Sequence, residues 1–272
     1  MSIRKEANGR RSVQVEVEVP GTPEQVWQAI ASGPGVSAWF VPTEVDGRVG
    51  GAIKNDFGGG MDSGSTIVEW EAPHRYQEEG SWGPNAPTVA TEWTVEARDG
   101  GTCIVRVVHS LFAENDDWDN QLKGVESGWP SFFRILRLYL EHFPGQPSSQ
   151  IQLMAMPAAE GAWEKLAGAL NLAGAAAGER RDAGDGAPRL SGIVESVGVN
   201  SGNDSGNAAG GNPHALLRVD VPGPGAVFAS ACPAGEKAWV TVGLYFYGDT
   251  AAEVVARDGA AWSAWMTGVF PG

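Results

Sequence analysis

Cysteine is almost missing from this chain: Cys103 and Cys232 are the two in 272 residues. They fall in separate predicted strands of separate halves, so a disulfide framework is excluded and a single structural disulfide is not expected. Histidine is nearly as scarce. His74, His109, His142 and His214 are scattered, none at ligand spacing from another. With no Cys-x-x-Cys and no His-Glu-x-x-His, no metal site is expected. The chain also lacks a Gly-x-Ser-x-Gly elbow and a phosphate-binding Gly-Lys-[Ser/Thr] loop, so no catalytic residue is assigned and no cofactor is implied. Positive charge is in deficit, with 19 Lys+Arg against 33 Asp+Glu and a net charge of −14. That excludes a general nucleic-acid binder and an affinity for anionic membrane surfaces. No apolar run reaches the roughly 18 residues of a membrane span, so membrane insertion is not expected. The first twelve residues are basic and polar with no apolar stretch behind them, unlike a secretory signal, and the expected location is cytoplasmic. Without secretion, the sequon Asn203-Asp204-Ser205 carries no meaning.

Aromatic residues and glycine are plentiful, with 11 Trp, 9 Phe and 38 Gly. Ser12 to Val19 alternates strictly, Val13, Val15, Val17 and Val19 against Gln14, Glu16 and Glu18, as a half-buried antiparallel strand does. Pro20-Gly21 ends it. Thr22 then caps a helix that opens with Pro23 and Glu24 and carries Val26, Trp27 and Ile30 on one face. Gly33-Pro34-Gly35 is expected to stop that helix, before a short helical turn bearing Trp39 and Phe40. From Thr43 to Phe112 the text reads as successive antiparallel strands punctuated by Gly47, Gly50-Gly51, Gly58 to Gly60 and Gly100-Gly101. The longest hairpin is Thr88 to Ala97 with Thr102 to Phe112. An acidic run, Glu114 to Asp119, precedes a long helix and suits its positive end. Val125, Trp129, Phe132, Phe133, Leu136 and Leu140 line one face of that helix for about four turns. Pro130 lies inside the pattern, where a kink or restart is expected.

Pro144 to Ser149 is a linker by composition. Beyond it the same order returns: a strand at Ile151 to Met156, a helix at Ala158 to Leu172, a small and polar stretch at Ala173 to Pro188, then strands at Ser191 to Val197, His214 to Val221, Ala226 to Cys232 and Lys237 to Tyr247. A final helix from Ala251 to Phe270 carries Trp262, Trp265 and Met266 on one face. Val199 to Pro213, rich in Gly, Asn and Ser, is expected to be a mobile loop. The order strand, helix, strands, long helix thus occurs twice. Residues 150–272 hold 7 Lys+Arg and 12 Asp+Glu, so both halves are acidic, about −9 and −5.

The landmarks of the first half, in order, are Pro23-Glu24-Gln25-Val26-Trp27, Trp39-Phe40, Gly50-Gly51, Glu69 to Arg75 with Pro73, and Gly128-Trp129 with the helix to Phe143. As a set they resemble the START-like, or SRPBCC, superfamily, and within it the branch related to the activator of the heat-shock-protein-ninety ATPase. The resemblance covers about residues 12 to 143. It implies an α+β helix-grip fold of the Bet v 1/START-like kind, a curved antiparallel sheet wrapped on a long C-terminal helix around a hydrophobic pocket. The second half is similar more loosely. It keeps the Trp163 helix and the Trp262/Trp265 helix, lacks counterparts of Trp39-Phe40 and of the glycine pair, and is short by a strand or two. The expected organisation is therefore two such domains in tandem, residues 1–145 and a degenerate copy at 150–272 that serves as a docking partner for the first.

The superfamily includes lipid carriers, plant hormone receptors, aromatase/cyclases, oxygenase domains and many bacterial proteins of no assigned role. The reading favoured here is a binding protein that holds a small hydrophobic or aromatic molecule, lipid- or polyketide-like, without a cofactor. The alternative is an enzyme resembling the cyclases, which act mainly by folding a reactive chain in the cavity. A polar cavity-floor residue with a displaced pKa, His109 or a glutamate, discriminates the two. A chaperone-activating role ranks last, resting on fold analogy alone. The aromatics exceed what one small core needs, so the ligand-binding candidates are Trp39, Phe40, Phe57, Trp70, Trp82, Trp93, Trp129, Phe133 and Leu136, with His109 as a polar group pointing into the pocket. Trp82 and Pro84 to Pro87 are assigned to a loop at the mouth. Glu69 and Glu71 read as the wet face of a strand, and Arg75 as a structural pair-former. A homodimer stays open.

Overall fold

The computed structural model describes residues 3–58, 62–83, 86–113, 116–200 and 212–271. They form two compact units, Met1–Gly145 and Gln146–Gly272.

The first unit begins with β1 (Arg4–Lys5) and β2 (Arg10–Pro20). Two helices follow, α1 (Pro23–Ala31) and α2 (Gly33–Ser37). Then come β3 (Thr43–Val45), β4 (Ala52–Asp56), β5 (Asp62–Glu71), β6 (Arg75–Ser81), β7 (Thr88–Arg98) and β8 (Thr102–Phe112), and the long helix α3 (Asp119–His142). The strands make one antiparallel sheet in the order β1-β2-β8-β7-β6-β5-β4-β3. The first long strand thus pairs with the last, Val13 opposite His109 and Val19 opposite Cys103. Helix α3 lies along β2 and holds the sheet by its apolar stripe, with Trp129, Phe133 and Leu136 buried. These are the features of a helix-grip α+β domain.

Local chemistry explains the entry to α1. The Thr22 hydroxyl accepts from the Gln25 backbone N–H while the Gln25 side chain accepts from the Thr22 N–H, a capping box. Its exit falls where expected, at Ala31, before a short helix. That helix already includes Gly33-Pro34-Gly35, because Ser32 caps the Gly35 N–H and α2 starts at once. Glycine is required at 35, because a Cβ there would stand 1.9 Å from the Gln28 carbonyl oxygen. The Gly50-Gly51 pair has a similar origin. Gly50 has φ +82°, and a Cβ on Gly51 would meet the Asp46 carbonyl oxygen at 1.9 Å.

Helix α3 runs unbroken through Pro130, so the expected restart does not occur. The acidic residues before it do more than face the helix dipole: Asp116 and Asp119 pair with Lys5 and with the buried Arg11, at 2.6–3.0 Å. This network ties β1 and β2 to the start of α3.

The second unit repeats the plan with β9 (Ser148–Ala155), α4 (Ala162–Ala169), β10 (Arg180–Asp182), β11 (Ser191–Asn200), β12 (Asn212–Val221), β13 (Gly225–Ala234), β14 (Lys237–Tyr247) and α5 (Ala251–Val269). Its antiparallel order is β10-β11-β12-β13-β14-β9, and again the first strand pairs with the last. The chain is α+β throughout, two helix-grip folds in tandem. After the first helix the second unit has five strands where the first has six, and nothing among its described residues corresponds to β1. Strand β10 lies in the stretch read as small and polar, and α4 is shorter than the span Ala158 to Leu172. Trp262 and Met266 of α5 are buried in a core with Leu166, Val242 and Phe246. Of the glycine-rich segment, Val199 and Asn200 pair with Pro213 and Asn212 as strand ends; 201–211 lie outside the described residues.

Candidate functional site

Inward positions of β3 to β8, helix α2 and helix α3 line a cavity of about 280 Å³ in the first unit. Parity places its walls. Tyr76, Glu78 and Gly80 on β6 and Val89, Thr91 and Trp93 on β7 all face in, as alternate residues of a strand must. From α3, Val125, Trp129 and Phe132 close the other side.

The back wall is fixed by hydrogen bonds that also finish α1. The last carbonyls of a helix have no internal partner. Here the Trp39 indole N–H donates to the Ala29 carbonyl at 2.9 Å, and the Tyr76 hydroxyl donates to that of Ile30 at 3.0 Å. Both rings are therefore clamped before any ligand arrives. Trp129 stacks beside Phe40 (5.5 Å) and meets Trp93 edge-on (5.1 Å). Phe57, 36% exposed, meets Phe40 edge-on at the rim.

One polar rung crosses this wall. Glu78 on β6 is paired with Thr91 on β7, and Thr91 with His109 on β8. The Trp129 indole N–H donates to His109 Nε2 at 2.8 Å. An indole only donates, so Nε2 is the acceptor and the neutral ring carries its proton on Nδ1. That proton goes to Thr91 Oγ1, 2.9 Å away. Burial lowers the His109 pKa from 6.5 to about 4, consistent with a neutral ring. The Thr91 hydroxyl is thereby left as a donor on the cavity side. Glu78 accepts from the Ser65 hydroxyl, with the Trp93 indole N–H beside it as a second donor to its charge. Burial nevertheless holds its carboxyl above the usual range, those two donors opposing the shift.

Of the expected ligand-binding residues, Trp39, Phe40, Phe57, Trp82 and Trp93 line this cavity together with His109 and Trp129. Three do not. Leu136 is fully buried, and Phe133 packs behind the wall against Trp39, Trp93 and Trp129. Both lie on the helix face that grips the sheet rather than the edge that overlooks the space. Trp70 packs on Trp27 (5.0 Å) and covers Gly47, whose Cβ would stand 2.8 Å from its ring. His109 lines the cavity, yet both ring nitrogens are engaged within the wall, so Thr91 presents the hydrogen-bonding group in its place. Trp82 approaches His109 to 6.1 Å; residues 84 and 85 of the expected mouth loop lie outside the described residues. Arg75 bonds Glu92 at 2.7 Å and is ion-paired with Glu69 on the outer face, as a structural pair-former. Glu71 is exposed.

Sequence reasoning missed Tyr76, Glu78, Ser65 and Thr91. A signal for one existed: Thr91 is the polar member of the inward series Val89, Thr91, Trp93, Val95. Glu78 gave none, because Gln77, Glu78 and Glu79 read as a solvated run. Among the described residues no group of three or more His, Cys, Asp or Glu is placed to share a metal ion, and no helix is long and apolar enough to cross a membrane.

A sheet whose first long strand pairs with its last, a gripping helix and an aromatic-lined cavity define a START-like domain. The model of the family described as "Activator of Hsp90 ATPase homolog 1-like protein" matches residues 20–141, and that segment is an Aha1-like domain of the START-like superfamily. A comparison with curated proteins finds no match. Similar solved structures include MLL2253 from Mesorhizobium loti, with 20% identity over 49% of this chain and 98% of that one and a TM-score of 0.45. CalU16 from Micromonospora echinospora shows 20% identity over 52% and 83%, with a TM-score of 0.42. DynU16, from the dynemicin biosynthetic locus, shows 18% identity over 94% and 96%, also with a TM-score of 0.42.

Proposed function

We propose that the first unit binds a small hydrophobic or aromatic molecule in its cavity. The observation that carries this is a partly open cavity of about 280 Å³ walled by Trp39, Phe40, Trp93, Trp129 and Phe132 and crossed by one polar rung. Pre-formed apolar pockets with few, placed polar groups are the usual form of a small-molecule site, at roughly 300–1,000 Å³ for drug-sized ligands. This volume sits at the small end, which favours a compact ring system over a long acyl chain. The Trp39, Tyr76 and Trp129 rings are held by their own hydrogen bonds, so little ordering of them is left for the ligand to cost. The second unit is assigned a supporting role as a degenerate copy at 150–272.

The test is native mass spectrometry of gently purified protein, followed by denaturing extraction of whatever accompanied it. A stoichiometric apolar molecule, absent from a Val125→Trp variant that fills the cavity from α3, supports binding. An empty protein that also takes up no aromatic probe overturns it.

A second reading rests on Glu78. A desolvated carboxyl inside an apolar cavity has the property a general acid needs, which favours a cyclase-like enzyme. Against it, His109 is neutral and engaged at both nitrogens, so Glu78 has no partner to relay a proton. Recovery of the bound molecule chemically changed by wild type and unchanged by Glu78→Gln would decide for the enzyme.

A further inference from the structure

Among the described residues, Glu78 is the one carboxyl lining the cavity, and no Lys or Arg lines it. One of its acceptor positions is used by the Ser65 hydroxyl, and the Trp93 indole N–H is directed to the carboxyl beside it. Both of those groups donate, so the remaining lone pairs also ask for a donor. On the inward face, Tyr76 precedes it by two residues, and Trp93 stands opposite Tyr76 on β7 with its ring stacked at 6.3 Å. A carboxyl is thus set among aromatic rings without a counter-charge. Burial holds it above its usual range, which is the cost of leaving a charge unpaired in an apolar site.

Resting on the reading of the cavity as a small-molecule site, we infer that its ligand class is an amine: a compact aromatic or alicyclic body bearing a protonated nitrogen that docks on Glu78. A cationic donor meets the open lone pairs, removes the unpaired charge and finds ring faces beside it. A carboxylate ligand would place like charges together. A ligand that offers only an acceptor would satisfy Thr91 and leave Glu78 unmatched.

The experiment titrates the full chain calorimetrically at neutral pH with three probes of one size: naphthylmethylamine, naphthylmethanol and naphthoate. The amine is expected to bind at least about tenfold tighter than the alcohol, with naphthoate weakest. In Glu78→Gln the amine should lose this advantage while the alcohol stays within about twofold of its wild-type affinity. Equal wild-type affinities for amine and alcohol, or an amine advantage that survives in Glu78→Gln, would overturn the inference and leave the cavity reading standing. If none of the three binds, the cavity reading fails and the inference with it. Should Glu78→Gln not fold, the wild-type ranking decides alone.

Discussion

At the scale of residues, two titratable groups on one rung, one buried and one half-buried, act on stability with opposite sign. The His109 pKa falls from 6.5 to about 4 on folding, so the unfolded chain takes up that proton more readily. The neutral ring costs nothing above pH 6.5, and stability drains away as pH falls from there through 4, by about 3 kcal/mol in all. His109→Gln keeps an acceptor for Trp129 and a donor for Thr91. It should lose about 1 kcal/mol at neutral pH and flatten the profile over that window, read as urea midpoints against pH. Glu78 runs the other way. Its folded pKa lies above the unfolded value, so ionisation opposes folding once pH exceeds the unfolded carboxyl range, and this penalty vanishes in acid. Glu78→Gln should therefore raise the melting temperature at neutral pH and leave it unchanged in acid. A variant that is less stable at every pH would show that the carboxylate is favourably held.

At the scale of elements, the long helix and the β3–β4 turn carry built-in constraints. Pro130 sits inside α3, one residue from the cavity-facing Trp129, and cannot donate to the preceding turn. Pro130→Ala should stabilise the helix by about 1 kcal/mol, measured by thermal unfolding. A loss would mean that the proline shapes the packing of Trp129. Gly51→Ala should cost about 1–3 kcal/mol, since its Cβ would have to displace the Asp46 carbonyl, a backbone atom held by the turn. Elements with strong local signals were the legible ones. Thr22, Pro23 and Gln25 announced α1, and the Val13-to-Val19 alternation announced β2. Where local signals competed, legibility was partial. Gly33-Pro34-Gly35 reads as a stop, and α1 does end at Ala31, but Ser32 and the close approach to Gln28 make the same residues the start of a second helix.

On the scale of the whole molecule, the described residues show a core in the second unit built entirely from residues 151–270, distinct from the aromatic layer of the first. Trp262 is fully buried in it, so Trp262→Ala should remove about 3–5 kcal/mol from that unit. Hydrogen exchange should show lost protection in β9 to β14 and α5, with protection across β2 to β8 unchanged. The order of strand and helix and its repetition were legible because period-2 and period-3.6 patterns and turn residues act within a few positions, while the helix-grip class followed from the resemblance carried by the ordered landmarks. Which aromatics face the cavity was decided only by the tertiary structure. Trp70, Phe133 and Leu136 carry the same apolar pattern as Trp93 and Trp129. Their fate depends on where α1 and α3 cross the sheet, a relation between segments tens of residues apart. Glu78 shows the same limit from the polar side: in sequence it is one of three consecutive polar residues, and only the inward parity of β6 and the donors brought by Ser65 and Trp93 make it the charged group of the cavity.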